Sequence, residues 1–160
     1  MNNFPKFLIL FFSLCWNFLA NAQVSVNLSQ LSGTKWKFVN LQYDGLFNNE
    51  DNCEDTDTFW EFSNTKVNQT VHYDGRTFTH TFPFYISTTS PASVDDFNNS
   101  LVGKYNKGDY LVIYKPILKR TYWYRIKSFD KKTGDMYLFR AKVPDEIGGR
   151  DVTIHLKLIK

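Results

Sequence analysis

The chain has 160 residues and a formal charge of +3, with 42% hydrophobic and 18% aromatic side chains. That charge, with no Lys/Arg cluster longer than Lys115-Pro116-Ile117-Leu118-Lys119-Arg120, is too small to argue for a nucleic-acid or membrane surface, and that short cluster reads as a hairpin end; no nucleic-acid partner is expected. The length fits one domain with its own core, and two cysteines are too few for a disulfide framework.

The first segment, "MNNFPKFLILFFSLCWNFLANA", carries Lys6 and then an apolar run from Phe7 to Trp16 broken only by Ser13. It closes on Ala20-Asn21-Ala22, small residues at the positions a signal peptidase reads. The run is too short to span a bilayer, which takes about 20 apolar residues, so no stable membrane insertion is expected. Residues 1–22 read as a signal peptide cleaved before Gln23, and residues 23–160 as one exported domain, periplasmic or extracellular. Loss of Lys6 leaves a charge of +2. Cys15 leaves with the leader. Cys53 then stands alone, with no histidine near it in sequence and Glu50, Asp51, Glu54, Asp55 and Asp57 around it, a passive thiol rather than a nucleophile. An exported domain without a disulfide must be held by its core, which is more usual in a bacterial envelope.

Beyond the leader, period-two alternation recurs and helical periodicity is nearly absent. Strands are expected at about 34–43, 57–63, 66–73, 77–87, 110–116, 121–129, 135–143 and 151–159. Turn signals separate them: Ser63-Asn64, Asp74-Gly75, Lys107-Gly108-Asp109, Lys132-Thr133-Gly134 and Gly148-Gly149. The last strand is the clearest, with Val152, Ile154, Leu156 and Leu158 on one face and Thr153, His155 and Lys157 on the other. The polar segment Thr88–Lys104 interrupts the series; a short helical turn is expected around Val94–Asn98, with the loop lying over one end of the sheet. The expected fold is all-β, an eight-stranded antiparallel up-and-down barrel, since closure removes both sheet edges.

Three short motifs carry a resemblance. The opening "SGTKWKFVNLQYDG", Ser32–Gly45, contains Gly33-Thr34-Lys35-Trp36, similar to the Gly-x-Trp of lipocalins with one extra residue. Gly108-Asp109-Tyr110 resembles the family's Thr-Asp-Tyr turn, with glycine for threonine. A late basic residue, Arg140 or Lys142, would match the one that covers the tryptophan. The chain thus resembles the small exported lipocalin-like proteins of the calycin group. That resemblance implies a barrel with Trp36 packed across its closed end.

Sequence motifs for catalysis are missing: no Gly-x-Ser-x-Gly, no phosphate-binding glycine loop, no His-Glu-x-x-His and no Cys-x-x-Cys. An enzyme is therefore not expected, and no cofactor. His72, His80 and His155 fall on separate strands. His72 and His80 flank the Asp74-Gly75-Arg76 turn and would face one another across a hairpin, but a third ligand is missing, so no metal site is expected. The acidic stretch Asn48–Asp57 offers oxygen ligands for calcium, yet it lacks EF-hand spacing and a central glycine; it reads as a solvated loop beside the barrel's open mouth.

What remains is the aromatic load: ten Phe, nine Tyr and three Trp beyond Ala22. Either these fill a core or some line a cavity. With Trp36 inward, alternation takes Phe38 in with it, pairs Trp60 with Phe62 and Phe82 with Phe84, and aligns Tyr110, Val112 and Tyr114. Tyr122, Tyr124 and Ile126 form a further inner row, leaving Trp123, Arg125 and Lys127 outside. A slip of one residue would reverse any of these rows. Two functions compete on this reading. One is a binding protein for a small apolar or amphipathic molecule. The other is a cell-envelope interaction module with a filled barrel, working through loops and outer residues such as Trp123, Arg125 and Tyr137 toward a protein partner.

Overall fold

The computed structural model describes residues 24–43, 50–51, 57–142 and 151–159. The leader, Cys53, most of the acidic stretch 48–57 and the Gly148-Gly149 turn lie outside the described residues.

Eight strands follow one another in the order read from the sequence: β1 (Lys35–Tyr43), β2 (Asp57–Phe62), β3 (Lys66–Tyr73), β4 (Arg76–Ser87), β5 (Tyr110–Lys115), β6 (Arg120–Asp130), β7 (Asp135–Arg140) and β8 (Val152–Ile159). Each pairs antiparallel with the next, and β8 returns to pair with β1 from Val152↔Tyr43 to Ile159↔Lys35. The protein is a closed eight-stranded up-and-down barrel. A two-residue strand, Glu50–Asp51, adds to the far end of β1.

Turn chemistry sets the hairpins. Asp74 and Gly75 both take positive φ, 50° and 68°, the geometry of a two-residue turn whose twist matches the strands it joins; Tyr73 and Arg76 pair directly across it. Between β6 and β7, Asp130 Oδ1 accepts from the Lys132 amide at 2.7 Å and Gly134 turns the chain at φ 76°.

Alternation of strand direction sorts the connections onto two ends. β1, β3, β5 and β7 run toward one end, called open here, where the turns 74–75 and 116–119 lie; 63–65, 88–109 and 131–134 lie at the other, with the N-terminal segment. That closed end holds the densest part of the core: Trp36, Phe62, Phe84, Ile86, Leu111, Ile113, Met136, Leu138 and Leu156 are all buried. A one-turn helix, α1 (Leu28–Leu31), plugs it by burying Leu28 and Leu31. So short a helix depends on its cap: Asn27 Oδ1 accepts from the Ser29 amide at 2.9 Å and Gln30 Oε1 accepts from the Asn27 amide at 2.7 Å, a reciprocal box. Gly33, at φ 73°, then redirects the chain and donates its amide to the Phe62 carbonyl at 2.8 Å.

The long connection after β4 follows the sequence expectation in part. Its later residues lie over the closed end, where Asn27 pairs with Lys107 and the Asn106 carbonyl accepts from the Leu28 amide at 3.4 Å, but its first part straps the outer face of β4, β5 and β6. Phe97 sits against Tyr85 and Tyr114, with ring centroids 5.2 Å away in each case, and the Thr121 amide donates to the Val94 carbonyl at 2.6 Å. Its helical turn is a 3₁₀ turn at Asn99–Leu101, with Asn98 as the cap rather than the end.

Candidate functional site: the barrel interior and its open end

Register assigns the faces. Phe84 pairs with Ile113 and Ile86 with Leu111; Ile113 pairs with Tyr122 and Leu111 with Tyr124. Partners directly across an antiparallel pair share a face, so Leu111 and Ile113 point inward. Tyr110 and Tyr114 therefore point outward, across from Arg125 and Thr121. This corrects the expected Tyr110–Val112–Tyr114 inner row by one residue. Val112 is fully buried all the same, because the long connection covers that outer face.

The other eight aromatics expected inside are on the core side. Trp36, Trp60, Phe62, Phe82, Phe84 and Tyr124 belong to the buried cluster, and Phe38 and Tyr122 pack against it half-buried. Trp60 meets Tyr124 edge-on at 5.8 Å, and Phe62 meets Phe84 edge-on at 5.3 Å. Such pairs add about 0.5–1.5 kcal/mol each beyond area burial. Along β1 the β8 register skips Val39, since Leu156 pairs with Phe38 and His155 with Asn40. Past that bulge Leu41, across from Ile154, faces the core in place of Asn40.

Trp36 occupies the closed end as the resemblance implied. Its ring lies 5.7 Å from Phe129, and its Nε1–H donates to Thr34 Oγ1 at 2.8 Å. The Thr34 hydroxyl in turn donates to the Leu31 carbonyl. The extra residue between Gly33 and Trp36 thus supplies the acceptor that a fully buried indole N–H needs. Neither Arg140 nor Lys142 covers this tryptophan. Arg140 pairs with Val152, which pairs with Tyr43, about 23 Å from Trp36 along β1 at roughly 3.3 Å per residue.

In the Gly108-Asp109-Tyr110 motif, a Cβ on Gly108 would stand 1.9 Å from the Ser87 carbonyl oxygen, so no side chain fits there. Asp109 is buried and accepts from Arg125 Nε at 3.1 Å through Oδ2.

Toward the open end the inner wall changes character. Gln69 pairs with Trp60 and with His80, and Val71 with Thr58 and Phe78. Gln69, Val71, Phe38, Leu41 and Tyr122 are half-buried and His80 is exposed, although register turns all of them inward. His80 stacks on Phe82 at 6.0 Å. Lys115 Nζ lies 4.6 Å from the Tyr122 ring and 5.5 Å from the Phe82 ring, and Arg140 Cζ lies 4.7 Å from the Tyr122 ring. Two cations thus hold one tyrosine at the mouth, each contact worth about 0.5–1 kcal/mol or more where water is excluded. Sequence reasoning missed both as inner residues. The available signal was Lys115 continuing the two-residue period of Leu111 and Ile113.

The histidines do not form a site. His72 pairs with Thr77, its Nδ1 2.9 Å from Thr77 Oγ1, on the outer face; His80 is on the inner face, so the two do not meet. His155 Nε2 lies 2.8 Å from Asp135 Oδ1 and its ring stacks on Tyr137 at 4.3 Å. Lys157 Nζ donates to both Asp135 oxygens, at 2.9 and 3.0 Å. The hydrogen bond from His155, then those from Lys157 and Thr133, hold the Asp135 carboxyl well below the ordinary carboxylate range. Among the described residues no three His, Cys, Asp or Glu side chains come together to hold a metal ion, and no helix is long and apolar enough to cross a membrane.

No protein-family model, curated protein or solved structure matches the chain. The barrel itself, closed and eight-stranded, is compatible with a lipocalin-like fold.

Proposed function

We propose that the protein is an exported lipocalin-like binding protein, without catalytic activity, that takes a small apolar or amphipathic molecule into the open half of its barrel. One observation carries this reading: Phe38, Leu41, Gln69, Val71 and Tyr122 face inward yet keep access to solvent, whereas the closed half is packed shut. An aromatic and aliphatic wall with a few placed polar groups is what a small-molecule site requires. Here the apolar part is Phe38, Leu41 and Trp60, and the polar groups are Gln69, Lys115, Arg140 and the Tyr122 hydroxyl, all toward the mouth. An amphipathic guest would seat its tail against the first set and its polar end beside the second.

Native mass spectrometry of the gently purified protein, followed by organic extraction, tests this. A reproducible extra mass that extracts as an apolar compound supports a carrier. An apo mass, together with no change in tryptophan emission on adding long-chain alcohols, refutes it. That result would favour a filled barrel acting through its loops and outer surface.

A further inference from the structure

The barrel wall sorts its charges by face. Lys115 continues the inward row of Leu111 and Ile113, and Arg120 pairs with it directly. Arg140 pairs with the inward Val152, and Arg76 stands two residues before Phe78, which pairs with the inward Val71. These four cations come from consecutive strands, β4 to β7. Among the described residues of the eight strands, every carboxylate lies on the outer face. Asp57 pairs with His72 and meets Lys37 Nζ at 2.7 Å, Glu61 sits between the inward Trp60 and Phe62, and Asp130 pairs with Asp135 beside the buried Met136. Beyond the strands, Asp151 Oδ1 accepts from the Lys142 amide at 2.6 Å. Glu50 and Asp51 run alongside β1, across the ring from β5.

Two of the inward cations converge. Lys115 Nζ lies 4.6 Å and Arg140 Cζ 4.7 Å from the centroid of one ring, that of Tyr122, and all three residues are half-buried. They reach it from the strands on either side of β6. Like charges brought to one partly desolvated point disfavour each other, and low-dielectric walls focus their field on whatever enters. An entering anion relieves that repulsion, a hydroxyl does little, and an ammonium adds to it. The guanidinium fork and the ammonium can also take separate oxygens of one carboxylate or phosphate. Deeper in, Tyr124 and Trp60 meet edge-on at 5.8 Å, a wall suited to an alkyl chain.

We infer that the guest is a single-chain amphiphile with an anionic head, a carboxylate or a phosphate. The head sits between Lys115 and Arg140 beside Tyr122, and the tail runs inward toward Trp60. This rests on the reading of the open half as a ligand site and adds the charge of the ligand's head.

Titration of the mature protein with dodecanoate, dodecyl phosphate, dodecanol and dodecylamine, followed by tryptophan emission, tests it with one chain and four heads. The better anion should bind roughly tenfold tighter than the alcohol, and the amine more weakly than the alcohol. Lys115→Gln combined with Arg140→Gln should bring the anion down to the alcohol's affinity. The alcohol should stay within about twofold of its wild-type affinity, which also shows that this variant is folded. Lys66→Gln with Lys131→Gln removes two exposed cations outside the barrel and should keep the preference for the anion. Equal binding of anion and alcohol by the wild type overturns the inference and leaves the ligand site standing, whereas binding of none of the four overturns both. An amine bound as tightly as the anion, an unchanged preference in the Lys115/Arg140 variant, or an equal loss in the outer-face variant overturns the inference alone.

Discussion

Replacing Thr34 by valine removes one oxygen and almost no volume. In the wild type that oxygen accepts from the Trp36 indole at 2.8 Å and its hydrogen goes to the Leu31 carbonyl. The carbonyl loses little, since the Thr34 amide also donates to it at 3.0 Å. The indole loses its acceptor inside a fully buried site. A buried donor left without a partner costs about 1–3 kcal/mol, so Thr34→Val should lower the urea midpoint by about 1 M. Thr34→Ser keeps the hydroxyl and loses a single methyl group, at under about 1 kcal/mol. Equilibrium urea titration followed by tryptophan emission separates the two. Wild-type stability in the valine variant, or equal losses in both variants, would refute the role assigned to Thr34.

Phe84→Ala empties the site edge-on to Phe62 in the closed half and should cost about 3–5 kcal/mol by the same titration. Gly108→Ala drives a methyl group into the Ser87 carbonyl; neither side of that contact is a flexible side chain, so a loss of about 3 kcal/mol should appear as a melting point roughly 10 °C lower. Asp135 titrates below its unfolded value, so its stabilising share is complete above about pH 4 and is lost as pH falls below that. Asp135→Asn should be less stable than wild type at neutral pH and show a flatter acid limb, as measured by denaturation midpoints across pH.

Strand positions were legible because turn residues punctuate them. Asp74-Gly75 forces a tight hairpin, and β8 alternates cleanly because one face is wet. Register failed where that contrast vanishes. In Tyr110-Leu111-Val112-Ile113-Tyr114 both faces are apolar, since Phe97 and its neighbours cover the outside, and a strand buried on both sides has no period to read. The bulge at Val39 left no mark either: nothing in Phe38-Val39-Asn40-Leu41 announces that leucine, rather than asparagine, continues the inner row. The helix α1 did leave a signal, the Asn27-x-x-Gln30 box followed by Gly33, but four residues are too few for periodicity to reveal. Lys115 and Arg140 went unread as mouth residues because a basic side chain at a strand end looks like ordinary surface until the register is known.

Closure of the barrel by β1 and β8 has a kinetic consequence. The ladder that joins Trp36 to Leu158 unites nearly the first and the last residues of the domain, so it cannot form until Val152–Ile159 has been synthesised. Until then both edges of a seven-stranded sheet stand open, and the chain must close its longest loop before the final seam rewards it. Refolding belongs in the slow, high-contact-order regime of milliseconds to seconds. A chain cut short before β8 loses both of that strand's ladders at once, leaving β1 and β7 as bare templates for another molecule's strand.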